Sequence, residues 1–454
     1  MRWLLSPLSL LLICWALSGA GVALTLAYLD RLDLVQTFMR REDLSLSAFT
    51  TTGAAWLFLA LLAYAVGDLA ARFSYRSPQG NNVQINLTRA AYLTFALNLV
   101  LLGVTALWIA TAAAQAGGLM HLAAAAYIDS LTTRDLLLEN KLFTGMRLFY
   151  AALPGTACLA TALLCLGPLP RHIRGLLLSI LIGNTLALFI LPIVMSQRLL
   201  LLQLLLSCYL VACLIRGRLV GWGWSLLAMA LFLGLWMARE AITNPMFDRS
   251  TFDIGTQKLA FYLINDMWNS FAPLAVEIPH TWGGLSLEGV MFLTVTDGYF
   301  AHILAPRLDA LQEVLGGGEF PLLTAAYVDF GPVLGAFILA FVGFVIRGLF
   351  IKARHSLGFA LAYAQIGATL LFSSHSVYLT HQNLLFSLLL ISALLKLVTQ
   401  HHAPRPQPSP LLFRSCRKPL PQCPPLPDSL VRQITLFTSQ RTQPHAKRPR
   451  HERA

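Results

Sequence analysis

The sequence predicts an all-α membrane protein, a bundle of about ten transmembrane helices with one large loop on its outer side. Three observations support this class: a very apolar composition, repeated runs of roughly 20 apolar residues, and an uneven distribution of basic residues between the loops. Of the 454 residues, 56% are hydrophobic and 12% are charged, and the mean hydropathy is +0.65. A soluble domain of this composition would have too little polar surface to meet water.

Each long apolar run predicts one transmembrane helix. In hydrocarbon, a helix of about 20 residues satisfies its own backbone hydrogen bonds while it crosses a core about 30 Å thick. The predicted spans are residues 4–28, 46–70, 90–114, 148–169, 174–195, 199–215, 219–238, 330–350, 357–375 and 382–399.

The orientation follows from the lysines and arginines of the short loops, because basic loops stay on the cytoplasmic side. One side carries eleven of them, and the opposite side carries seven. The basic tail after Lys396 falls on the richer side. We therefore expect both termini in the cytoplasm of a bacterium, with the protein in its inner membrane.

The spans divide the chain into four predicted parts. Residues 1–238 hold about seven spans, 239–329 form a large periplasmic loop, 330–400 hold about three spans, and 401–454 form a basic, Pro-rich tail. Low apolar content predicts that this tail is disordered. The net charge of +12 lies largely in the juxtamembrane loops and the tail. Lipid headgroups of the bilayer, and no nucleic acid, are therefore the expected partners.

Three segments outside the spans have their own patterns. Residues 115–147 mix apolar and charged side chains, which predicts a pair of interfacial amphipathic helices. Within the large loop, Phe261, Ile264, Trp268 and Phe271 recur at helical spacing, which predicts a helix lying on the membrane surface. Residues 284–305 are apolar but contain charged residues, so they are predicted not to cross the membrane.

The polar residues place any chemistry at the outer face. The middles of the spans carry four amides, which we interpret as helix-packing groups: Asn98, Asn184, Gln203 and Gln365. Such bare midplanes argue against an ion-coupled transporter. No phosphate loop, dinucleotide-binding glycine pattern, paired-histidine zinc helix or Asp-x-Asp pair is present, so no metal or cofactor is expected.

Arginine is the remaining group that could bind phosphate, since its planar fork contacts two oxygens at once. Arg198 begins a predicted span and Arg239 ends one, whereas Arg249 and Arg307 lie in the large loop between spans. The alternative for each is an interfacial or ion-paired role. Asp329 lies where the chain enters a span, as a helix cap, a catalytic group, or both.

Two short motifs carry a family resemblance. The first is Tyr327-Val328-Asp329-Phe330-Gly331 followed by Gly335, and the second is Ser196-Gln197-Arg198 leading into a leucine-rich run. With the layout of spans and loop over residues 1 to about 400, they resemble the O-antigen or oligosaccharide repeat unit polymerases, the Wzy type. The related O-antigen ligases carry a loop histidine shortly before the acidic-Phe-Gly segment, and this sequence has no match at that place.

The resemblance implies a metal-independent, class C type glycosyltransferase at the periplasmic face. Its substrate would be undecaprenyl pyrophosphate-linked oligosaccharide, polymerised into O-antigen or a capsular or exopolysaccharide, and a chain-length regulator is a further implied partner. The four arginines would bind pyrophosphate, Asp329 or Asp297 would act as base or sugar anchor, and three aromatic side chains would stack on sugars: Trp268, Trp282 and Tyr299. The alternatives are an O-antigen ligase, a transporter of a lipid-linked or small solute, and a membrane scaffold.

Overall fold

The structure is a computed structural model, and it describes residues 3–75, 84–128, 133, 136–137, 139–195, 199–243, 249–277, 279–312 and 319–400. The chain divides into Met1–His401 and His402–Ala454, and the second unit lies outside the described residues together with the predicted tail. The predicted all-α class is confirmed.

The described part of the chain is built almost entirely from α-helices. In chain order they are α1 (Pro7–Ala27), α2 (Asp33–Arg41), α3 (Thr51–Ser74), α4 (Leu87–Gln115), α5 (Leu119–Ile128), α6 (Met146–Ala151), α7 (Leu153–Leu166), α8 (Arg171–Met195), α9 (Leu199–Arg216), α10 (Trp222–Thr243), α11 (Thr251–Phe271), α12 (Glu288–Thr294), α13 (Asp297–Gln312), α14 (Leu322–Lys352), α15 (Leu357–Leu370) and α16 (Gln382–Val398). Two short strands, Gln84–Ile85 and Thr399–Gln400, pair antiparallel before α4 and after α16.

Eight helical segments of the described chain are long and apolar enough to cross a membrane. They are Pro7–Ala27, Thr51–Ser74, Leu87–Gln115, Met146–Leu166, Arg171–Leu191, Leu199–Arg216, Leu322–Lys352 and Tyr378–Val398. Each coincides with one of the ten predicted spans. The other two predicted spans are also helical, as α10 and α15, but neither is among these eight segments. The helix α15 has only 14 residues.

The outer surface of these helices is apolar, as lipid contact requires. Large side chains such as Leu17, Phe58 and Phe337 are each about 70% exposed on α1, α3 and α14. An exposed apolar surface of this extent is unfavourable in water and favourable in hydrocarbon. The segment formed by α6 and α7 is the central one, because 78% of its apolar window is buried, against 28–50% for the other seven segments.

Small residues bring α3 and α14 into close contact along their length. A Cβ at Gly67 would lie 1.7 Å from the carbonyl oxygen of Ala340, and one at Gly343 would lie 2.4 Å from that of Tyr64. Membrane helices associate through such small residues because lipid provides no hydrophobic drive for their packing. Next to Gly67, the fully buried Asp68 pairs with Arg72 of α3 at 2.8 Å and with Arg347 of α14 at 3.8 Å.

The interior amides mostly make the predicted packing contacts. Asn98 Oδ1 accepts hydrogen bonds from Thr156 (2.6 Å) and Asn184 (2.9 Å), which joins α4, α7 and α8. Gln365 accepts one from Ser387 at 2.6 Å, between α15 and α16. Gln203 is buried without a hydrogen-bond partner among the described residues, so its packing role stays a prediction.

The large loop folds as helices. The helix predicted from Phe261 and Trp268 is α11. The ring centroid of Phe261 lies 5.4 Å from the ring centroid of Phe38 on α2. Residues 284–305 form α12 and the start of α13, separated by Val295 in a left-handed conformation, and neither helix is among the eight candidate spans. Of the predicted pair in 115–147, α5 lies within the described residues, whereas residues 129–132 lie outside them.

The span predicted at 330–350 begins earlier, at Leu322, because the apolar residues before Asp329 are helical too. Gly331 interrupts this helix with φ of 73°, a left-handed conformation that glycine adopts at low cost. Pro332 then begins the second half, at a position where its missing N–H is not needed. Asp329 therefore lies in the last turn before a kink rather than at the start of the span.

Candidate functional site

Asp329 holds the chain of the large loop against α14. Its carboxylate is fully buried and accepts hydrogen bonds from the Thr281 hydroxyl and from the backbone N–H groups of Leu285 (3.0 Å) and Ser286 (2.8 Å). Its carbonyl oxygen accepts the N–H of Trp282 at 2.9 Å. Three donors on one buried carboxylate fix its position. The sequence predicts that Asp329 caps the helix that follows it. In the structure its side chain caps the turn at 281–286 instead.

His280 lies beside the kink. Its Nδ1 is 3.2 Å from the carbonyl oxygen of Val328, and its ring would meet a Cβ at Gly331 at 3.0 Å. Arg307 donates to the carbonyl oxygen of His280 at 2.6 Å, so this arginine holds the same turn from α13. A cavity of about 290 Å³ opens next to it, lined by residues 273–277 with His280, Tyr327 and Val328.

The four arginines proposed to bind pyrophosphate can be compared only in part, because the structure describes three of them. Arg198 lies outside the described residues. Arg239 is buried near the end of α10. Arg249 is bound by two carboxylates, with its guanidinium 2.5 Å from Asp33 and 3.2 Å from Asp253. Arg249 is thus ion-paired and Arg307 is bound to a backbone carbonyl, and the binding of pyrophosphate by these arginines stays a prediction.

The remaining candidates of the loop have separate surroundings. Trp268 donates to the carbonyl oxygen of Ser45 at 2.9 Å and is partly buried against α2. Trp282 and Tyr299 are 63% and 74% exposed, and Asp297 is exposed at the first residue of α13. The two exposed aromatic rings are open to a ligand or to lipid, whereas Trp268 packs within the protein.

A histidine and an aspartate that the sequence analysis does not include among the candidates form a close contact. His375 Nδ1 lies 2.8 Å from Oδ1 of Asp266, joining the loop after α15 to α11. Next to them, the Ser376 hydroxyl donates to the carboxylate of Glu319. A carboxylate that holds one nitrogen of an imidazole is the arrangement by which proteins orient a histidine for proton transfer.

The carboxylate of Glu319 raises the pKa of two other carboxylates near His375. Burial raises the pKa of Asp266, the contact with His375 opposes this, and the nearby charge of Glu319 raises it further. Partial desolvation raises the pKa of Glu288 on α12, and the nearby charge of Glu319 raises it further. Asp266, Glu288 and Glu319 therefore face a common region, and the imidazole of His375 is the cationic partner of this group when protonated.

The loop that carries His375 is held firmly. Trp15 Nε1 donates to the Ser373 hydroxyl at 3.2 Å, and the hydroxyls of Ser18 and Ser374 lie 2.7 Å apart. The N–H of Leu322 donates to the carbonyl oxygen of Ser373 at 2.9 Å. Elements from α1, α11 and α14 thus meet around this short segment.

A basic cavity lies close to the cluster. Its volume is about 110 Å³, its polar lining comes from Lys141, Arg147, Gln382 and Asn383, and Phe292 of α12 belongs to its apolar lining. A Cβ at Gly289 would lie 2.2 Å from the carbonyl oxygen of Thr380, so α12 rests directly on the start of α16. The cavity and the cluster share one stretch of chain, because Gln382 and Asn383 of the lining lie seven positions after His375 and Ser376, respectively.

One signal in the sequence could have revealed these residues. Between two apolar runs the chain reads Ser373-Ser374-His375-Ser376, followed by His381-Gln382-Asn383. Such a polar stretch is more than a short turn between two helices requires. Within the described residues, no group of three or more histidine, cysteine, aspartate or glutamate side chains could hold a metal ion.

Comparison with known proteins gives no further identification: no protein-family model, no curated protein and no solved structure matches this chain.

Proposed function

We propose that this protein is a polysaccharide polymerase that joins undecaprenyl pyrophosphate-linked oligosaccharide units at the periplasmic face of a bacterial inner membrane. The observation that carries the proposal is the pairing of two sites at the loop end of the bundle. The Asp266–His375 pair can move a proton, and the neighbouring cavity with Lys141 and Arg147 carries positive charge for a diphosphate.

The reaction needs both sites. The hydroxyl oxygen of the incoming unit forms a bond to the anomeric carbon of the growing chain, while the bond from that carbon to the pyrophosphate oxygen breaks. The hydroxyl proton passes to a base, and the lipid pyrophosphate leaves with the electron pair, so that the configuration inverts. Positive charge stabilises the leaving group as its negative charge develops.

The family motif supports the same location. The segment Tyr327–Gly331 folds beside the large loop, where Asp329 holds residues 281–286. We assign Asp329 the task of positioning this loop, and the exposed Trp282 and Tyr299 the task of contacting sugars. Arg198, the arginine of the second motif, and Arg239 remain proposed contacts of the pyrophosphate. The chain-length regulator, the class C assignment and the cytoplasmic position of both termini belong to the proposal as well.

One observation favours an O-antigen ligase as the second candidate. His280 is distant from a ligase-like position in the sequence, yet its ring lies against Gly331 of the acidic-Phe-Gly segment. A polymerase and a ligase share the donor chemistry but differ in their acceptor. The fate of the repeat units in a deletion strain separates the two.

The test is a deletion of the gene followed by examination of the surface polysaccharide. Loss of a polymerase leaves single repeat units, on the lipid carrier or at the cell surface, and removes the long-chain ladder. Loss of a ligase leaves long chains on the lipid carrier, and loss of a transporter traps repeat units inside the cell. An unchanged ladder in the deletion strain contradicts all three functions.

A further inference from the structure

We infer that His375 is the general base of the reaction and that Asp266 is its positioning residue, an inference that rests on the proposed function. His375 would take the proton from the acceptor hydroxyl of the incoming oligosaccharide. The two residues are 109 positions apart in the chain, and the fold brings Nδ1 of His375 to 2.8 Å from Oδ1 of Asp266.

The two side chains differ in their access to solvent. The Asp266 side chain is 13% exposed and the His375 side chain is 29% exposed, so the imidazole is the more accessible of the two. A carboxylate bound to Nδ1 fixes the proton on that nitrogen and makes Nε2 the basic one. The imidazole is thereby oriented before any substrate arrives.

The backbone at His375 is fixed independently of Asp266. The N–H of His375 donates to the carbonyl oxygen of Phe372 at 3.0 Å, and the preceding serines are bound to Trp15, Ser18 and Leu322. A base that its surroundings already hold in position loses little freedom in the reaction. The position of His375 therefore depends on contacts from several elements and not on Asp266 alone.

The charges around the pair favour the protonated form that the reaction produces. Asp266 contacts the imidazole from α11, and Glu319, from the segment before α14, lies near Asp266. When His375 accepts the hydroxyl proton, an imidazolium forms next to these carboxylates and is stabilised by them. The proton then stays on His375 until water removes it, while the new glycosidic bond and the free lipid pyrophosphate are already formed.

A purely structural contact is the competing explanation, in which Asp266 and His375 only fasten the loop to α11. The two explanations differ in the pH dependence of the rate. A general base gives kcat/KM an acidic limb, below which activity falls as the base becomes protonated. Removal of the Asp266 charge destabilises the imidazolium, so the limb moves to lower pH, whereas a fastening contact leaves the position of the limb unchanged.

The experiment uses the full-length protein in liposomes, with lipid-linked single repeat units extracted from the deletion strain as substrate. We expect His375→Ala and His375→Gln to lower kcat by about 100-fold or more, in the range of general-base catalysis. Asp266→Asn should lower kcat about 10-fold or more and move the acidic limb to lower pH. His172→Ala, at an exposed histidine at the start of α8, is the matched control and should retain the wild-type rate and profile.

The outcomes separate the inference from the proposed function. If wild-type protein forms no polymer from these units, the proposed function fails. If wild-type protein is active and His375→Gln stays within threefold of it, the inference is overturned while the proposed function stands. Should both His375 variants fail to fold, the Asp266→Asn profile decides, because an unshifted acidic limb overturns the inference.

Discussion

The N–H of Ser286 lies 2.8 Å from Oδ2 of Asp329, and the N–H of Leu285 lies 3.0 Å from Oδ1, so one buried carboxylate fastens the turn at 281–286 to α14. We predict that Asp329→Ala lowers the free energy of unfolding by roughly 3 kcal/mol, because it leaves two backbone donors without their acceptor. Asp329→Asn should also impair chain extension. The measurements are the apparent Tm in detergent and the protease sensitivity of the loop.

Asp297→Ala is the control for Asp329, since Asp297 is exposed at the start of α13. We expect this control to change stability by no more than about 1 kcal/mol. An equal Tm for Asp329→Ala and wild type would show that Asp329 does not anchor the loop.

The close contact of α3 with α14 gives a second prediction. Gly67→Ala would place a Cβ 1.7 Å from the carbonyl oxygen of Ala340, so we expect a loss of about 1–3 kcal/mol in stability or a failure to fold. Gly103→Ala is the matched control, because no atom lies within 4 Å of its Cβ position on α4, and it should be neutral or stabilising by up to about 1 kcal/mol. Equal melting temperatures for the two variants would contradict the packing of these helices.

Much of this fold could be predicted from the sequence, because a span must be a helix of fixed length and apolar composition. Eight predicted spans coincide with candidate spans, and the helical pattern at Phe261 and Trp268 is α11. The start of α14 at Leu322 was missed because glycine and proline at 331–332 suggested a helix start. Here they produce a kink, which the local pattern alone does not distinguish.

The site was harder to predict, because it depends on contacts between distant segments. Asp266 and His375 belong to different elements, and no spacing in the sequence relates them. Arg249 looked available for a phosphate, but Asp33, which binds it, lies on α2, more than two hundred positions earlier. Ion pairs of this kind depend on the tertiary packing of helices, which periodicity does not reveal.

The pH dependence of stability gives a third prediction, at Glu288. Because its pKa is raised, the folded state binds the proton more tightly than the unfolded chain, whose pKa is near 4.5. The contribution of Glu288 to stability therefore falls as pH rises from that value through the raised folded pKa, and the loss is complete above it. Glu288→Gln, which is neutral throughout, should have a higher Tm than wild type at pH 8 and no advantage at pH 4.

Glu139→Gln serves as the control for Glu288, because it makes the same substitution at a glutamate outside the cluster of Asp266, Glu288 and Glu319. The gain in Tm at pH 8 should be specific to Glu288→Gln. If Glu288→Gln were less stable than wild type at pH 8, the partial desolvation of a charged Glu288 near Glu319 would not destabilise the folded state as we describe.

The fourth prediction concerns Arg198, whose motif resembles that of the polymerases. Arg198→Ala should abolish chain extension at a normal protein level, and Arg198→Lys should retain part of it, because lysine keeps the charge without the two-pronged geometry. The effect should be on the order of a hundredfold in rate, since a contact to a departing pyrophosphate strengthens in the transition state.

A near-normal polysaccharide ladder from Arg198→Ala would show that Arg198 is not a required contact of the pyrophosphate. Lys141 and Arg147, which line the basic cavity, would then be the first groups to replace, ahead of Arg239, Arg249 and Arg307. Inorganic pyrophosphate should inhibit the wild-type protein, and the double variant Lys141→Ala with Arg147→Ala should be less sensitive to it.

The most direct measurement is polymerisation by the purified full-length protein in liposomes that contain only lipid-linked single repeat units from the deletion strain. The proposed function predicts a ladder of longer lipid-linked chains, with one lipid pyrophosphate released for each unit added and no requirement for a nucleotide sugar. Repeat units that remain single, under conditions in which the protein is folded, would contradict it.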